Sequence, residues 1–273
     1  MPKHKLNRSA REQWAIDGFL IMKGVLSRTQ IKRFSSEVDR LQRKYVVRNP
    51  DVQNSSGLDR RNILPESPIF HELIDHPATF QTVLDLMGPH IQLSMAEAIL
   101  RPPDPDFKGY IHTDGGQALR HIRVTETSWP IQLKIQYFLT DVSRQNMGNF
   151  TLFPGSHLRP YPEGDAPINA HTPGAVQVCA NAGDAAIFPH SLWHGVSPNK
   201  SRRARKTLIY GYGQLCFRTF DFDGHSADVM KQCTPRQRRL LGDLGSDWRP
   251  GAYFYSPADQ EKVMKGPRRR KRI

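Results

Sequence analysis

The sequence predicts a mainly β fold with flanking helices, and three observations carry that expectation. Residues 131–137, Ile-Gln-Leu-Lys-Ile-Gln-Tyr, alternate between apolar and polar side chains, the period of two that a strand with unlike faces requires. Short apolar runs at 176–180 and 185–188 are separated by the turn signal Asn181-Ala-Gly-Asp. Helical periodicity is concentrated before residue 90, with one clean helix start near residue 235. A chain of 273 residues suits a single elaborated β-barrel or jelly roll and can bury a core without covalent staples.

Residues 9–46 read as helix, short strand, helix. Ser27 followed by Gln30 makes a capping box, and Ile31, Phe34, Val38, Leu41 and Tyr45 then recur at helical spacing. A second helical pair, 69–74 and 78–87, ends at the helix stop Gly88-Pro89. Strands are expected at 91–100, at 109–112, and at 131–139, where Gln132, Lys134 and Gln136 share one face and Leu133, Ile135 and Tyr137 the other. Periodicity leaves open whether that polar face meets solvent or a wet internal cavity. Gly148-Asn-Phe-Thr-Leu-Phe-Pro-Gly-Ser-His is a strand running into a tight turn. Residues 158–174, rich in Pro and Gly, form a long loop and a candidate lid. The last strand is expected at 206–213, and Thr234-Pro-Arg-Gln opens a packing helix with Thr as cap and Pro at its first position.

The chemistry concentrates in Gly-Tyr-Ile-His112-Thr-Asp114-Gly-Gly. Residues two apart on an extended strand point to the same side, so His112 and Asp114 can grip one ion while Thr113 faces away. With one more histidine they would occupy one face of an octahedral Fe(II), leaving positions open for substrates. His190 and His194 both offer that third ligand. They would share a face on a helix, but the apolar strand before them and Gly195-Val-Ser-Pro-Asn after them argue against one. An arginine further on, among Arg202, Arg203 and Arg205, supplies a planar fork that matches a carboxylate.

Several motifs together resemble the phytanoyl-CoA dioxygenase family of Fe(II)/2-oxoglutarate-dependent oxygenases: Asp17-Gly-Phe-Leu-Ile, His112-Thr-Asp114, Leu139-Thr-Asp-Val-Ser through Gly148 to Pro154-Gly-Ser-His, and His194 followed by Asn199 and Arg205. The resemblance spans residues 10–215 in the family's order. It implies a double-stranded β-helix core, a jelly roll of the cupin-like kind. It implies His112, Asp114 and His194 as iron ligands, Arg205 as anchor for the far carboxylate of 2-oxoglutarate through its eleven-residue offset from His194, and Gln136 as a contact of the same keto acid. By the same resemblance His157 belongs to a structural turn, and His190 is a neighbour of the site. Iron, 2-oxoglutarate as co-substrate and O2 are the implied cofactors, and hydroxylation of a C–H bond with release of succinate and CO2 is the implied reaction. Asp114 favours hydroxylation, desaturation or rearrangement over halogenation, because related halogenases lack this carboxylate.

Composition narrows the rest. Cys179, Cys216 and Cys233 make an odd count with no Cys-x-x-Cys pairing, which excludes a disulfide framework and a zinc finger. No apolar run approaches the ~20 residues of a membrane helix, and the start lacks a signal peptide's apolar stretch, so the expectation is a cytoplasmic protein. Net charge is +13, six of it in the tail 265–273, which is expected to be disordered after a single oxygenase domain over 1–264. A basic surface steers acidic partners, so a small-molecule or acyl-thioester substrate, including one on an acidic carrier protein, is expected. The rival readings are a catalytically silent binding protein on the same fold, an oxygenase of a polyanionic or nucleic-acid substrate, and a zinc hydrolase. Intact ligands with an intact arginine weigh against the first. No nucleic-acid module supports the second, and in the third Arg205 would be idle.

Overall fold

A computed structural model describes residues 6–46, 57–122, 124–162 and 168–244; the basic tail 265–273 and the middle of the candidate lid, 163–167, lie outside the described residues. The chain begins with helix α1 (Arg8–Asp17), strand β1 (Leu20–Met22) and helix α2 (Arg28–Lys44). Ser27 and Gln30 form the expected capping box at the start of α2. Strand β2 (Leu58–Arg61), which periodicity did not announce, precedes a 3-10 helix at Pro68–Leu73 and helix α3 (Phe80–Met87). The segment expected as helix near 69–74 is thus the tighter 3-10 form, with Pro68 at its start. Then come β3 (Ile91–Arg101), β4 (Tyr110–His112), the short helix α4 (Gly116–Arg120), β5 (Gln132–Phe138), β6 (Phe150–Leu152), β7 (Val176–Gln177), β8 (Ala185–Pro189), β9 (His194–Val196) and β10 (Arg205–Gln214). Helices α5 (Ala227–Lys231) and α6 (Pro235–Leu240) follow, α6 with the expected Thr234–Gln237 box.

The strands form two antiparallel sheets, one in the order β1-β8-β5-β10-β3-β2 and one in the order β4-β9-β6-β7. From β3 onward the chain passes back and forth between them, which produces the expected double-stranded β-helix, mainly β with helices on the outside. Alternation decides which side chains go where. Leu133, Ile135 and Tyr137 of β5 and Leu208, Tyr210 and Tyr212 of β10 join Phe34, Val38 and Leu41 of α2 and Val83, Leu84 and Met87 of α3 in one buried apolar cluster. The tyrosine hydroxyls fasten that layer, Tyr210 donating to the Phe70 carbonyl at 2.6 Å and Tyr212 to that of Ile74 at 2.9 Å. The opposite faces of the same strands, with Gln132, Lys134 and Gln136 on β5 and Arg205, Thr207 and Ile209 on β10, turn toward the second sheet. Phe150 of β6 meets Phe188 of β8 at 4.7 Å between ring centres, closing one end of the space between the sheets. The polar stripe of β5 therefore faces the interior. No helix among the described residues is long and apolar enough to cross a membrane.

The second sheet is held close by one missing side chain. Gly195 pairs with Ile111 of β4 on one side and Thr151 of β6 on the other. A Cβ there would lie 1.7 Å from the Tyr110 carbonyl oxygen, a distance that forces backbone to move. Gly195→Ala is accordingly expected to lower stability by about 1–3 kcal/mol or more, as overpacked cores do, and to spread β4 from β9. Chemical denaturation of the two proteins checks this; an unchanged midpoint would show that the strands can separate freely.

Candidate metal centre

The pairing of β4 with β9 places His112 directly opposite His194, their ring centres 4.4 Å apart. Asp114 lies just beyond the end of β4, in a turn, and not on an extended strand as the i, i+2 expectation had it. The turn still delivers its carboxylate, because the Asp114 N–H donates to the His190 carbonyl at 2.9 Å and Gly115 takes a left-handed conformation next to it. Asp114 Oδ1 lies 3.6 Å from His112 Nε2, and Oδ2 lies 3.6 Å from His194 Nε2. One donor atom from each of the three residues falls within 4.8 Å of the others, the one such group of His, Cys, Asp or Glu among the described residues. A first-row divalent ion bound at about 2.0–2.2 Å to N and O donors holds neighbouring donors roughly 3 Å apart, so small side-chain movements complete the site.

The protonation states suit a ligand set. His194 is walled by Phe150 and Phe188, and its Nδ1 faces the Leu192 carbonyl at 2.8 Å. That contact takes the Nδ1 proton and leaves the Nε2 lone pair directed at Asp114. Burial brings the His194 value down to about 3 against the opposing pull of Asp114, so the ring is neutral near pH 7. Burial alone would push the Asp114 carboxyl up. Lys134, followed by His194 and His112, outweighs it and holds the carboxyl well below the usual range. Lys134 Nζ donates to Oδ1 at 2.6 Å, whereas Oδ2 is buried with no hydrogen-bond donor in the protein. One carboxylate oxygen is thereby fixed by protein and the other left for an ion. His112, with 37 % of its side chain exposed, marks the open side of the centre.

The structure separates the competing histidines by position and the arginines by burial. His190 is buried in the turn between β8 and β9, its Nδ1 3.4 Å from the Gln132 carbonyl, and contributes its backbone oxygen and not its ring to the Asp114 turn. His157 packs against Gly18 in the 3-10 turn after Gly155 and lines the cleft beside Asp114 without joining the triad. Arg202 and Arg203 are exposed and precede β10. Arg205, its first residue, is buried, and its Nε has no hydrogen-bond partner. No ion pair joins it to a carboxylate among the described residues. Burial, and then the like charge of Arg101 across β3, brings its value down to about 10, which leaves it cationic at pH 7. Asn199 shapes the approach to Arg205, donating through Nδ2 to the Arg203 carbonyl at 2.9 Å and accepting from Ser201. Gln136 is buried on the interior face opposite Ile209, with its Nε2 unpartnered. Lys134 is the residue that sequence reasoning passed over. Its signal was present, a lysine centred on the inward polar stripe of a seven-residue alternation, but nothing in the spacing tied it to Asp114.

Known proteins resemble this chain over most of its length. Bovine (Bos taurus) peroxisomal phytanoyl-CoA dioxygenase is 23% identical over 87% of this chain and 77% of its own length. The dioxygenase trt7 of Aspergillus terreus is 24% identical over 86% of this chain and 83% of its own. Among solved structures, HygX from Streptomyces hygroscopicus, with nickel, 2-oxoglutarate and hygromycin B bound, superposes with a TM-score of 0.66 at 21% identity, covering 82% of this chain and 94% of that one. The sequence model of the phytanoyl-CoA dioxygenase (PhyH) family matches residues 14–207, a span that contains His112, Asp114, Lys134, His194 and Arg205, and the chain belongs to that family.

Proposed function

We propose that this chain is an Fe(II)/2-oxoglutarate-dependent dioxygenase that oxidises an unactivated C–H bond of a small-molecule or acyl-thioester substrate. The observation that carries the reading is the pairing of two unmet needs: three convergent donors with Asp114 Oδ2 unpartnered, and the Arg205 cation buried without a counter-ion. His112, Asp114 and His194 would hold the iron, and Arg205 the far carboxylate of 2-oxoglutarate, with Gln136 as an added donor. Bound there, iron would activate O2, with 2-oxoglutarate supplying two of the four electrons that O2 takes up and the C–H bond the other two, and succinate and CO2 would be released. The chain's own part is orientation and exclusion. Lys134 holds one Asp114 oxygen and would leave the other for the metal, the Leu192 carbonyl fixes the His194 tautomer, and Phe150 and Phe188 keep water from the His194 side. The nickel and 2-oxoglutarate held by HygX support this reading.

Iron-loaded protein is expected to convert 2-oxoglutarate to succinate, and Arg205→Ala to weaken its use of 2-oxoglutarate by some thirtyfold or more. A charge pair of this kind costs about 2–5 kcal/mol to truncate. Arg205→Lys should recover part of the loss, because a point charge replaces a fork. Arg203→Ala should behave as wild type. Steady-state succinate release measures all four proteins, and a wild type that leaves 2-oxoglutarate intact, with or without candidate substrates, contradicts the proposal. Lys134→Met should leave the fold in place and weaken Ni(II) or Fe(II) binding by about 10–100-fold, the usual effect of removing a group that orients a ligand. Metal titration followed by calorimetry is the check, and equal affinities would reduce Lys134 to a charge neighbour.

A further inference from the structure

A cleft of about 260 Å³ opens on the Asp114 flank of the centre, and its walls include Thr113, Asp114, Arg120, Arg159, His190 and Ser191. Its two arginines are held in an aromatic ladder. The Arg120 guanidinium sits 4.2 Å over the Tyr161 ring and that of Arg159 sits 4.9 Å over Trp193, while Tyr161 and Trp193 meet edge to face at 5.7 Å. The Tyr161 hydroxyl donates to the Ile111 carbonyl at 2.7 Å, which ties the ladder to β4. Arg120 Nε donates to Thr113 Oγ1 at 3.2 Å, between the two candidate ligands of that segment. A guanidinium stacked on a ring keeps its in-plane N–H edge free for an oxyanion. Neither arginine meets a carboxylate among the described residues. The carboxylate on the wall, Asp114, is matched by Lys134. His190 Nε2 and Ser191 Oγ are buried without hydrogen-bond partners, and His190 is 1 % exposed.

We propose that this cleft is a substrate subsite for an oxyanion, a phosphate or carboxylate group gripped by Arg120 and Arg159 beside the metal centre. Two guanidiniums favour the dianion of a phosphate monoester, with the unpartnered Ser191 hydroxyl donating to one of its oxygens. The volume falls below the roughly 300–1,000 Å³ that encloses a whole drug-sized ligand, so the subsite takes one group while the rest of the substrate extends toward the iron. The inference rests on the oxygenase reading for the identity of the neighbouring centre, and its test separates the two.

Protein saturated with Ni(II) and 2-oxoglutarate, so that the triad and Arg205 are occupied, is titrated calorimetrically with inorganic phosphate and, separately, with acetate. Phosphate is expected to bind, more weakly as ionic strength rises. Arg120→Ala and Arg159→Ala should each weaken it at least fivefold and Arg120→Lys less, while Arg28→Ala, an equal charge loss on α2, should leave it unchanged. Melting temperatures of the variants confirm folding. Acetate as tight as phosphate, with the same dependence on both arginines, assigns the subsite to a carboxylate and supports the proposal. No heat from either anion in wild type, or equal affinities in all the variants, overturns it. Failure of wild type to take up Ni(II) and 2-oxoglutarate contradicts the oxygenase reading instead, and the anion arms are then read on the protein alone.

Discussion

A guanidinium buried without a counter-ion is the constraint around which this interior is arranged. Removing one member of a buried charge pair costs several kcal/mol in proteins, so a fold that keeps Arg205 5 % exposed and without a protein carboxylate sets aside binding energy for an anion. The nearby acid does not fill that role. Burial, and then the neighbouring Asp59, pushes the Glu97 carboxyl well above its usual range, favouring its neutral form, and the cation nearest to it is Arg61 at 3.6 Å. Arg205 stays in place because β10 is paired on both sides, with β3 and with β5, and because its outward residues anchor the helical layer. The buried cation thus sits at the start of a strand held between two neighbours.

The charge balance inside the barrel differs from that outside. The surface excess of positive charge steers acidic molecules toward the protein, whereas the interior sets each charge against a defined partner or leaves it open for one. Asp114 illustrates both. Its Oδ1 is satisfied by Lys134 and its Oδ2 is left bare beside two histidines, so a divalent ion would complete an arrangement that the protein alone leaves half finished. The His112 side is open, the His194 side is sealed by aromatic rings, and the basic cleft lies on the Asp114 flank. On the proposed reading, a substrate would reach the centre from its open side and fix its charged end in the cleft.

Much of this was legible in the sequence because the relevant signals are local. The capping boxes at Ser27 and Thr234, the alternation of β5 and the turn before β8 depend on residues within a few positions of one another, and they appear where expected. Family motifs named the triad, and the structure brings those three side chains together. Burial distinguishes Arg205 from Arg203, which strand parity could not do, since the strand begins only at Arg205. What stayed hidden depends on contacts between distant segments. Lys134 and Asp114 are 20 residues apart and meet only because β5 lies across the interior from the end of β4. The ladder of Arg120, Tyr161, Trp193 and Arg159 draws on helix α4 and two loops, and strand β2 gains its order from pairing with β3, not from a pattern of its own.

The central claim is that one anion spans the space between the triad and Arg205. Anomalous diffraction from crystals grown with Ni(II) and 2-oxoglutarate tests it most directly. The account predicts one strong metal peak bounded by His112 Nε2, His194 Nε2 and Asp114 Oδ2, with the keto acid reaching from that ion to a two-pronged contact with Arg205. A metal bound elsewhere, or a metal on the triad with Arg205 turned to a protein carboxylate and no keto acid between them, would contradict it.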